Sequence, residues 1–348
     1  MKKEANNNQR QIVIKIPVKK ILLVLLALAV WGGSLWAAWQ IAARKIRSEP
    51  LSFEWAAYPL LNSRLQRFAD EPREERLAKT FASLSPLRES LIDYLSQNEQ
   101  KAAFYIEDLN TGAWAGWNEK EDFLPLSLLK VPVAMGIMKK IDRGEWTLDK
   151  TFPLEVKYKT EDFGTLWKEP DNSLVSLKRL IEEMLENSDN TAANLLFDKL
   201  TNQERADIYD HIGIANPEEE FQFDPAAPRF KKIKPKDLAN IFRALYNATY
   251  LTRPSSSFIL ETLTKTKFDK TAMELPGDVK YAHKIANYLD PAQKELESFH
   301  DCGIVYYPQH PYLTCIMTQS SDIDKSIMTI TEMNKKIYQF FRSGGKLM

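Results

Sequence analysis

The stretch Leu126–Pro132 reads Leu-Ser-Leu-Leu-Lys-Val-Pro and lies at the start of a predicted helix. Ser127 and Lys130 are three positions apart, so their side chains lie on one face of that helix, one turn from each other. A serine nucleophile needs a base, and a desolvated lysine can act as one. The spacing therefore indicates nucleophilic catalysis, although about one or two Ser-x-x-Lys matches arise by chance in a chain of this length.

Two later segments carry polar residues that suit the same chemistry. Ser188, Asp189 and Asn190 follow an amphipathic helix, and capping of the next helix is the simpler explanation for these residue types. Lys284 lies in a predicted strand, where a solvated lysine that protects a sheet edge is the simpler explanation. Each motif is weak alone, and their order along the chain is what makes them informative.

The region from residue 101 onward has predicted strands at both ends and predicted helices between them. The strands are expected at 102–106, 113–117, 279–285, 303–307 and 312–317. The helices are expected at 131–142, 177–185, 195–200, 238–245 and 322–341. The simplest arrangement of these elements is an α/β (α+β) fold: a five-stranded antiparallel sheet flanked by helices, plus an all-helical lobe. We expect the first and last of these helices to cover the sheet.

The N-terminal region contains an uncharged, mostly apolar run at 21–43 that is long enough to cross a bilayer. Basic residues are more frequent before this run than after it, which predicts a cytoplasmic tail at 1–20 and an extracytoplasmic remainder. A cleaved signal peptide and a buried core helix are the alternatives. Residues 44–100 are predicted to be a connector with helical segments, and 101–342 the catalytic domain.

The composition excludes several functional classes. The chain has 348 residues, with 47 Lys plus Arg and 47 Asp plus Glu, and this balance argues against a nucleic-acid binder. Four His and two Cys leave little material for a metal centre, and nucleophilic catalysis by a serine and a lysine needs no cofactor. Cys302 and Cys315 lie on the last two predicted strands, and either a disulfide or two separate buried thiols is compatible with their spacing.

The three motifs, in this order and with their flanking residues, resemble the class A serine β-lactamase branch of the β-lactamase and penicillin-binding family. The segments that carry the resemblance are Leu126–Pro132, Ser188–Leu196 and His300–Tyr306. It covers about residues 100–342 and implies a β-lactamase/transpeptidase-like fold. It also implies a serine hydrolase that is acylated by a β-lactam or by a cell-wall peptide.

The resemblance assigns catalytic roles to residues of the first two motifs. Ser127 would be the acylated nucleophile and Lys130 the general base that activates it. Burial and the like charge of Lys284 would lower the pKa of Lys130 enough for this role. Ser188 would relay a proton to the leaving nitrogen.

The resemblance also assigns substrate-binding roles. Asn190 would hold Lys130 and the substrate amide, and Lys284 would attract the substrate carboxylate. The backbone N–H groups of Ser127 and Asn287 would form the oxyanion hole.

Two departures from the family pattern bear on activity. The third motif is normally Lys-Thr-Gly or Lys-Ser-Gly, whereas Ile285 and Ala286 follow Lys284 here. The residue at 285 therefore has no hydroxyl for a carboxylate, and the methyl group at 286 takes up space that glycine leaves open. We expect both changes to weaken binding of ordinary β-lactams.

The second departure concerns hydrolysis of the acyl-enzyme. Class A β-lactamases carry a Glu-x-x-x-Asn loop, whereas the acidic run Glu218–Glu220 has no Asn four residues after any of its members. A solvated loop is the simpler explanation of this run. Three functions stay open: a β-lactam hydrolase, a penicillin-binding D-Ala-D-Ala peptidase or transpeptidase, and a non-catalytic wall-binding or sensor protein.

Overall fold

An antiparallel sheet of five strands organises the part of the chain that a computed structural model describes, residues 58–62, 84–98, 100–216, 232–267, 275–289, 297–308 and 310–345. The strands are β1 (Lys101–Asp108), β2 (Trp114–Trp117), β3 (Thr151–Pro153), β4 (Leu174–Ser176), β5 (Tyr281–Leu289), β6 (Glu297–Val305) and β7 (Tyr312–Ser320). The order β2-β1-β7-β6-β5 places β2 and β5 at the two edges. Strands β3 and β4 form a separate small ribbon. The predicted five-stranded sheet is confirmed.

Helices cover both faces of this sheet. They are α1 (Ser85–Ser96), α2 (Lys130–Asp142), α3 (Leu177–Glu186), α4 (Asn190–Asp198), α5 (Asn202–Ile212), α6 (Pro235–Asn247), α7 (Arg253–Leu263) and α8 (Ile323–Arg342). Helices α1 and α8 pack on one face, and α6 and α7 contact strands from the other side. Helices α2, α3, α4 and α5 contact one another and form the helical lobe.

The helix that shares a sheet face with α8 differs from the expected one. The prediction gave this place to the helix at 131–142, but α2 lies inside the helical lobe because it is apolar on most of its circumference. Helix α1, which lies in the predicted connector, packs beside α8 on this sheet face instead. Its buried residues Leu87, Leu91 and Leu95 recur every four positions and form a single apolar stripe that suits one sheet face.

The strands β5 and β6 differ from their predicted positions, and buried polar residues account for the late start predicted for β6. The Nδ1 atom of His283 lies 2.8 Å from the Oδ1 atom of Asp301 inside the sheet, and both side chains are inaccessible to solvent. Such residues interrupt the apolar pattern by which a strand is recognised in sequence. The prediction therefore began β6 at 303 rather than at 297, and it gave 279–285 for β5, which runs from 281 to 289.

The two cysteines form a disulfide between neighbouring strands. Cys302 of β6 and Cys315 of β7 face each other in the register of the strand pair and are bonded. The sequence left this bond open because the spacing of the cysteines does not fix the register. The turn between Val305 and Tyr312 fixes it, since these two residues also pair directly.

Several predictions concern residues outside the described part of the chain. The predicted membrane anchor at 21–43 and the acidic run Glu218–Glu220 both lie there. Among the described residues, none of the helices combines the length and the apolar character that a membrane crossing requires.

Candidate active site

Ser127 lies on a tight turn that leads directly into α2 of the helical lobe. The turn is the 3-10 helix Leu126–Leu129, and α2 begins at Lys130. Leu126 has a φ of 52° and Ser188 a φ of 53°, so both adopt the left-handed conformation that is rare outside glycine. Residues held in this way cost about 1–3 kcal/mol each and concentrate at functional sites. The unusual backbone thus marks the neighbourhood of both serines.

A chain of hydrogen bonds joins the two predicted catalytic motifs. The Nζ atom of Lys130 donates to the backbone oxygen of Ser188 at 2.6 Å and lies 3.0 Å from the Oγ atom of the same residue. The Oγ atom of Ser188 lies 3.2 Å from the Oγ atom of Ser127, within hydrogen-bond distance. Lys130 also donates to the Oδ1 atom of Asn190 at 2.5 Å. The structure therefore brings these four predicted residues together.

The environment of Lys130 disfavours its charged form. The side chain is buried, and burial lowers its pKa well below the usual lysine value, with a further lowering by the positive charge of Lys284. The carboxylates of Asp189 and Asp162 oppose this shift. The direction and the two causes are those that the sequence predicted.

Asp189 fixes the second motif in place. Its carboxylate caps α4 by accepting from the backbone N–H of Ala192 at 2.8 Å. It also accepts from the backbone N–H groups of Thr165 at 2.8 Å and Leu166 at 2.9 Å. Helix capping and a site role were alternative explanations of this motif, and the structure satisfies the capping explanation while placing Ser188 and Asn190 beside Lys130.

Gly164 permits the approach of its loop to Asp189. It has a φ of +87°, and a Cβ atom at this position would lie 2.0 Å from the Oδ2 atom of Asp189. Any other residue here combines backbone strain with a direct clash against a buried carboxylate. No motif in the sequence pointed to this glycine.

Asp162 is a second residue that sequence reasoning missed. Its Oδ2 atom accepts a hydrogen bond from the Nδ2 atom of Asn190 at 2.7 Å. Asn190 therefore bridges the buried amine of Lys130 and an exposed carboxylate. The contact joins residues that are distant in sequence, and an isolated aspartate in a loop gives no sequence signal of such a contact.

Lys284 lies on the sheet side of the same site. Strand β5 contacts the turn Leu126–Leu129, and the charge of Lys284 acts on Lys130. Its side chain is 0% exposed, and its Nζ atom donates to the backbone oxygen of Ile285 at 3.2 Å. Burial lowers the pKa of Lys284 to about 7. The explanation of Lys284 as a solvated edge lysine is therefore wrong, although β5 is an edge strand.

The residues that follow Lys284 are also nearly inaccessible. Ile285 is 8% exposed and packs in the apolar cluster that α1 and α8 cover, on the face opposite to Lys284. Ala286 is 1% exposed and packs on the helical-lobe face. Asn287, the predicted oxyanion-hole residue, is half-buried in β5 and pairs in register with Phe299 of β6.

The titratable side chains of the described ranges do not form a metal site. Among those residues, His, Cys, Asp and Glu make no group of three or more that could hold a metal ion.

Comparisons with known proteins identify the family and agree with the fold. The model of a family described as "Beta-lactamase enzyme family" matches residues 86–341. No curated protein matches the chain. Solved structures with the same fold include TLA-3 extended-spectrum β-lactamase, which is 21% identical with a TM-score of 0.68 over 74% of this chain and 99% of that one.

Two further structures extend this range. A β-lactamase from Sphaerobacter thermophilus is 18% identical with a TM-score of 0.65, over 74% of this chain and 97% of its own. PBP-A is 22% identical with a TM-score of 0.65, over 76% of this chain and 100% of its own. A mutant of PBP-A was solved as an acyl-enzyme complex with penicillin G. At these identities the structural likeness establishes the fold.

Proposed function

The chain belongs to the β-lactamase enzyme family, and from this premise we propose that it is a serine hydrolase that forms an acyl-enzyme on Ser127 with a β-lactam or a related amide. The observation that carries the proposal is the hydrogen-bonded chain from Lys130 through Ser188 to Ser127. It supplies a nucleophile, a proton carrier and a base within reach of one another.

Lys130 can act as the base because burial lowers its pKa and its neutral form can satisfy the same partners. A neutral amine has two N–H groups and one lone pair. The two N–H groups match the backbone oxygen of Ser188 and the Oδ1 atom of Asn190. The lone pair is then left for the hydroxyl of Ser188, which donates to Lys130 while it accepts from Ser127. Both bonds of the chain thus point from the nucleophile to the base.

Acylation follows from this arrangement with all atoms accounted for. The Oγ atom of Ser127 forms a bond to the substrate carbonyl carbon as its proton passes through Ser188 to Lys130. The carbon–nitrogen bond then breaks, and Ser188 returns a proton to the leaving nitrogen. Backbone N–H groups of Ser127 and Asn287 are assigned to the oxyanion, where loss of one donor typically costs a factor of about 10²–10³ in rate.

A peptidase or transpeptidase of the penicillin-binding type is the second candidate. The likeness to PBP-A supports it, and so does the sequence between Ile214 and Pro235, which has no Glu-x-x-x-Asn pattern. Without a carboxylate that directs water onto the acyl group, the acyl-enzyme persists or passes to another acceptor. The natural substrate would then be a peptidoglycan stem peptide.

We further propose that this site lies outside the cytoplasm, on a chain anchored in the cell membrane by residues 21–43. The length and apolar character of that run and the basic residues before it support this. A tagged full-length protein should partition with membranes, and protease added outside the cytoplasm should degrade the hydrolase domain. Full-length protein in the soluble fraction would contradict the anchor.

The experiment that tests acylation is intact-mass spectrometry after addition of penicillin G. We expect the mass of one penicillin to be added to the wild-type protein and to be absent in Ser127→Ala. Ser343→Ala removes the serine of a second Ser-x-x-Lys match, 343–346, and should keep the adduct. An adduct that disappears with product release supports a β-lactamase, and one that lasts supports a penicillin-binding peptidase or a sensor.

The same measurement addresses the non-catalytic alternative. A protein that only binds wall fragments would give no adduct with penicillin or with a fluorophosphonate probe. The absence of both adducts in folded wild-type protein would overturn the proposed function.

A further inference from the structure

We propose that His300 is a positioning residue of the oxyanion hole, because its imidazole joins strand β6 to the chain segment that leads into Ser127. The inference rests on the proposed acylation of Ser127 and adds a residue to which that reaction assigns no role so far. It is carried by the contact between the Nε2 atom of His300 and the backbone oxygen of Leu124, at 3.0 Å.

His300 lies on the sheet face that carries the candidate site. It pairs with Ala286 in the register of β5 and β6. Lys284 lies two positions from Ala286, so the alternation of side chains along a strand places all three on one face. The imidazole is 0% exposed. It therefore packs beside the residue that directly precedes Asn287, whose backbone N–H is assigned to the oxyanion.

The partners of His300 determine which nitrogen carries the proton. The backbone N–H of Thr318 donates to the Nδ1 atom at 3.3 Å, so Nδ1 holds the lone pair and Nε2 the proton. The oxygen of Phe299, 2.7 Å from Nδ1, accepts instead from the hydroxyl of Thr318 at 2.7 Å. Burial lowers the pKa of His300 to about 4, which keeps the ring neutral at neutral pH. The single N–H of the ring is therefore the one that points at Leu124.

The segment that accepts this hydrogen bond is held from two directions. Phe123 pairs with Ile233 through two backbone hydrogen bonds, of 3.0 Å and 2.8 Å. The Phe123 ring also meets the imidazole of His300 edge to face, with the ring centroids 5.7 Å apart. Leu124 is the next residue, and Ser127 follows in the same short turn. The position of the Ser127 N–H thus depends on where Leu124 is held.

The oxyanion hole needs such a connection because its two assigned donors lie on different elements. One is the N–H of Ser127 in the 3-10 turn, and the other is the N–H of Asn287 in β5. Strand β5 is an edge strand that pairs with β6. The hydrogen bond from His300 to Leu124 therefore ties the turn to the strand that holds β5. The spacing of the two donors is then fixed before the substrate arrives, as stabilisation of a developing oxyanion requires.

Two substitutions with side chains of similar length separate the hydrogen bond from the packing of the ring. His300→Gln keeps an N–H group for the oxygen of Leu124, whereas His300→Met has no donor. Tyr250→Phe is the control for lost stability, because it removes a hydrogen bond of 2.9 Å from a buried tyrosine to Asp207, neither of which has a role in the site. For each protein, the concentration dependence of adduct formation gives the acylation rate constant and the dissociation constant of penicillin G.

The donor should affect the chemical step and leave substrate binding unchanged. We expect the acylation rate constant to fall about tenfold to a hundredfold in His300→Met, because a displacement of about 1 Å can cost a factor of about 10². The dissociation constant should change by less than about twofold, since the oxyanion develops only in the transition state. His300→Gln should restore the rate constant to within about threefold of the wild-type value. Tyr250→Phe should leave both constants unchanged.

NMR of the wild-type imidazole tests the same contact and needs no folded variant with altered activity. In protein labelled with ¹⁵N at histidine, the resonances of His300 are those that disappear in His300→Gln. We expect them to show the neutral Nε2–H tautomer at neutral pH, with slow exchange of that proton with solvent. The Nδ1–H tautomer would turn a lone pair towards Leu124 and would overturn the inference.

The failures of this inference and of the proposed function are distinguishable. If wild-type protein is acylated and His300→Met reacts as fast as His300→Gln or faster, the inference is overturned and the proposed function stands. If the loss appears in the dissociation constant, or if Tyr250→Phe slows acylation as much, the role of His300 in the oxyanion hole is overturned. If wild-type protein forms no adduct, the proposed function and this inference fail together.

Discussion

The two walls of the candidate site have kept the family pattern to different degrees. On the helical wall, Ser127, Lys130, Ser188 and Asn190 follow the family motifs and form one hydrogen-bonded chain. On the sheet wall, Lys284 is retained but is buried and bonded to the carbonyl oxygen of its own neighbour. The groups that we propose for acylation are thus all present, whereas the sequence that follows Lys284, proposed to bind the substrate carboxylate, departs from the family pattern.

This difference separates the residues proposed to transfer protons from those proposed to bind the substrate. The groups that move a proton must meet within hydrogen-bond distance, so little variation is tolerated among them. A wall that binds part of a substrate can change with the substrate. The helical wall therefore carries the proposed reaction, and the sheet wall bears on which substrates it would accept.

The largest effect is expected from a substitution that moves the helical wall. Gly164→Ala places a Cβ atom on the carboxylate of Asp189, so the capped start of α4 must shift. We expect the free energy of unfolding to fall by about 3 kcal/mol or more. The rate constant for acylation by penicillin should fall about a hundredfold or more, as misplaced catalytic groups typically produce.

Gly144→Ala is the matched control for this substitution. Gly144 has a φ of +73° but no neighbouring atom within 4 Å of an added Cβ, so it reports backbone strain alone. We expect a loss of about 1 kcal/mol in unfolding free energy and unchanged acylation. Equal losses in the two variants would show that the contact between Gly164 and Asp189 is unimportant.

A moderate effect is expected from the charge of the sheet wall. Because burial lowers the pKa of Lys284 to about 7, its positive charge is present below that pH and is lost as the pH rises through it. The rate constant for acylation by an anionic penicillin should therefore fall above pH 7, and at lower pH it should fall as Lys130 becomes protonated. The pH–rate profile of the free enzyme reports both groups.

Lys284→Met removes the charge and keeps an unbranched apolar chain at the position. In this variant we expect a lower rate constant and no alkaline limb between pH 6 and pH 8, about one unit on either side of the Lys284 transition. An unchanged alkaline limb would assign it to another group.

The smallest effect on chemistry is expected at Ile285. In the family pattern a threonine or serine follows the lysine, and its hydroxyl would make Ile285→Thr a way to restore binding of the substrate carboxylate. The side chain at 285, however, packs on the face opposite to Lys284. We expect acylation to change by less than about threefold and the unfolding free energy to fall by about 1–3 kcal/mol, because the hydroxyl is buried among apolar groups. Ile285→Val should show neither the hydroxyl penalty nor a rate change, and a tenfold faster acylation in Ile285→Thr would contradict this placement.

The sequence predicted the helical wall better than the sheet wall for a physical reason. Ser127 and Lys130 are fixed by helical spacing, and Ser188 to Asn190 lie at a helix start where such residues are favoured. Their positions follow from local rules. The five strands were also recognisable, because most of their buried residues are apolar.

The remaining features depend on contacts between distant segments. The register that joins Cys302 to Cys315, the displaced ends of β5 and β6, and the burial of Lys284 are all set by tertiary packing. The same holds for Asp162, whose hydrogen bond to Asn190 exists only because two loops meet. Helix α1 was assigned to a connector because four prolines divide the segment 48–100 and hide a short apolar stripe.

The central claim is that the amine of Lys130 is available as a base, and NMR of the lysine side chains measures this directly. In protein labelled with ¹³C at lysine Cε, one resonance that disappears in Lys130→Met should titrate well below the exposed lysines. If the resonance assigned to Lys130 instead titrates together with the exposed lysines, Lys130 is charged when the substrate arrives and the account of Ser127 activation is contradicted.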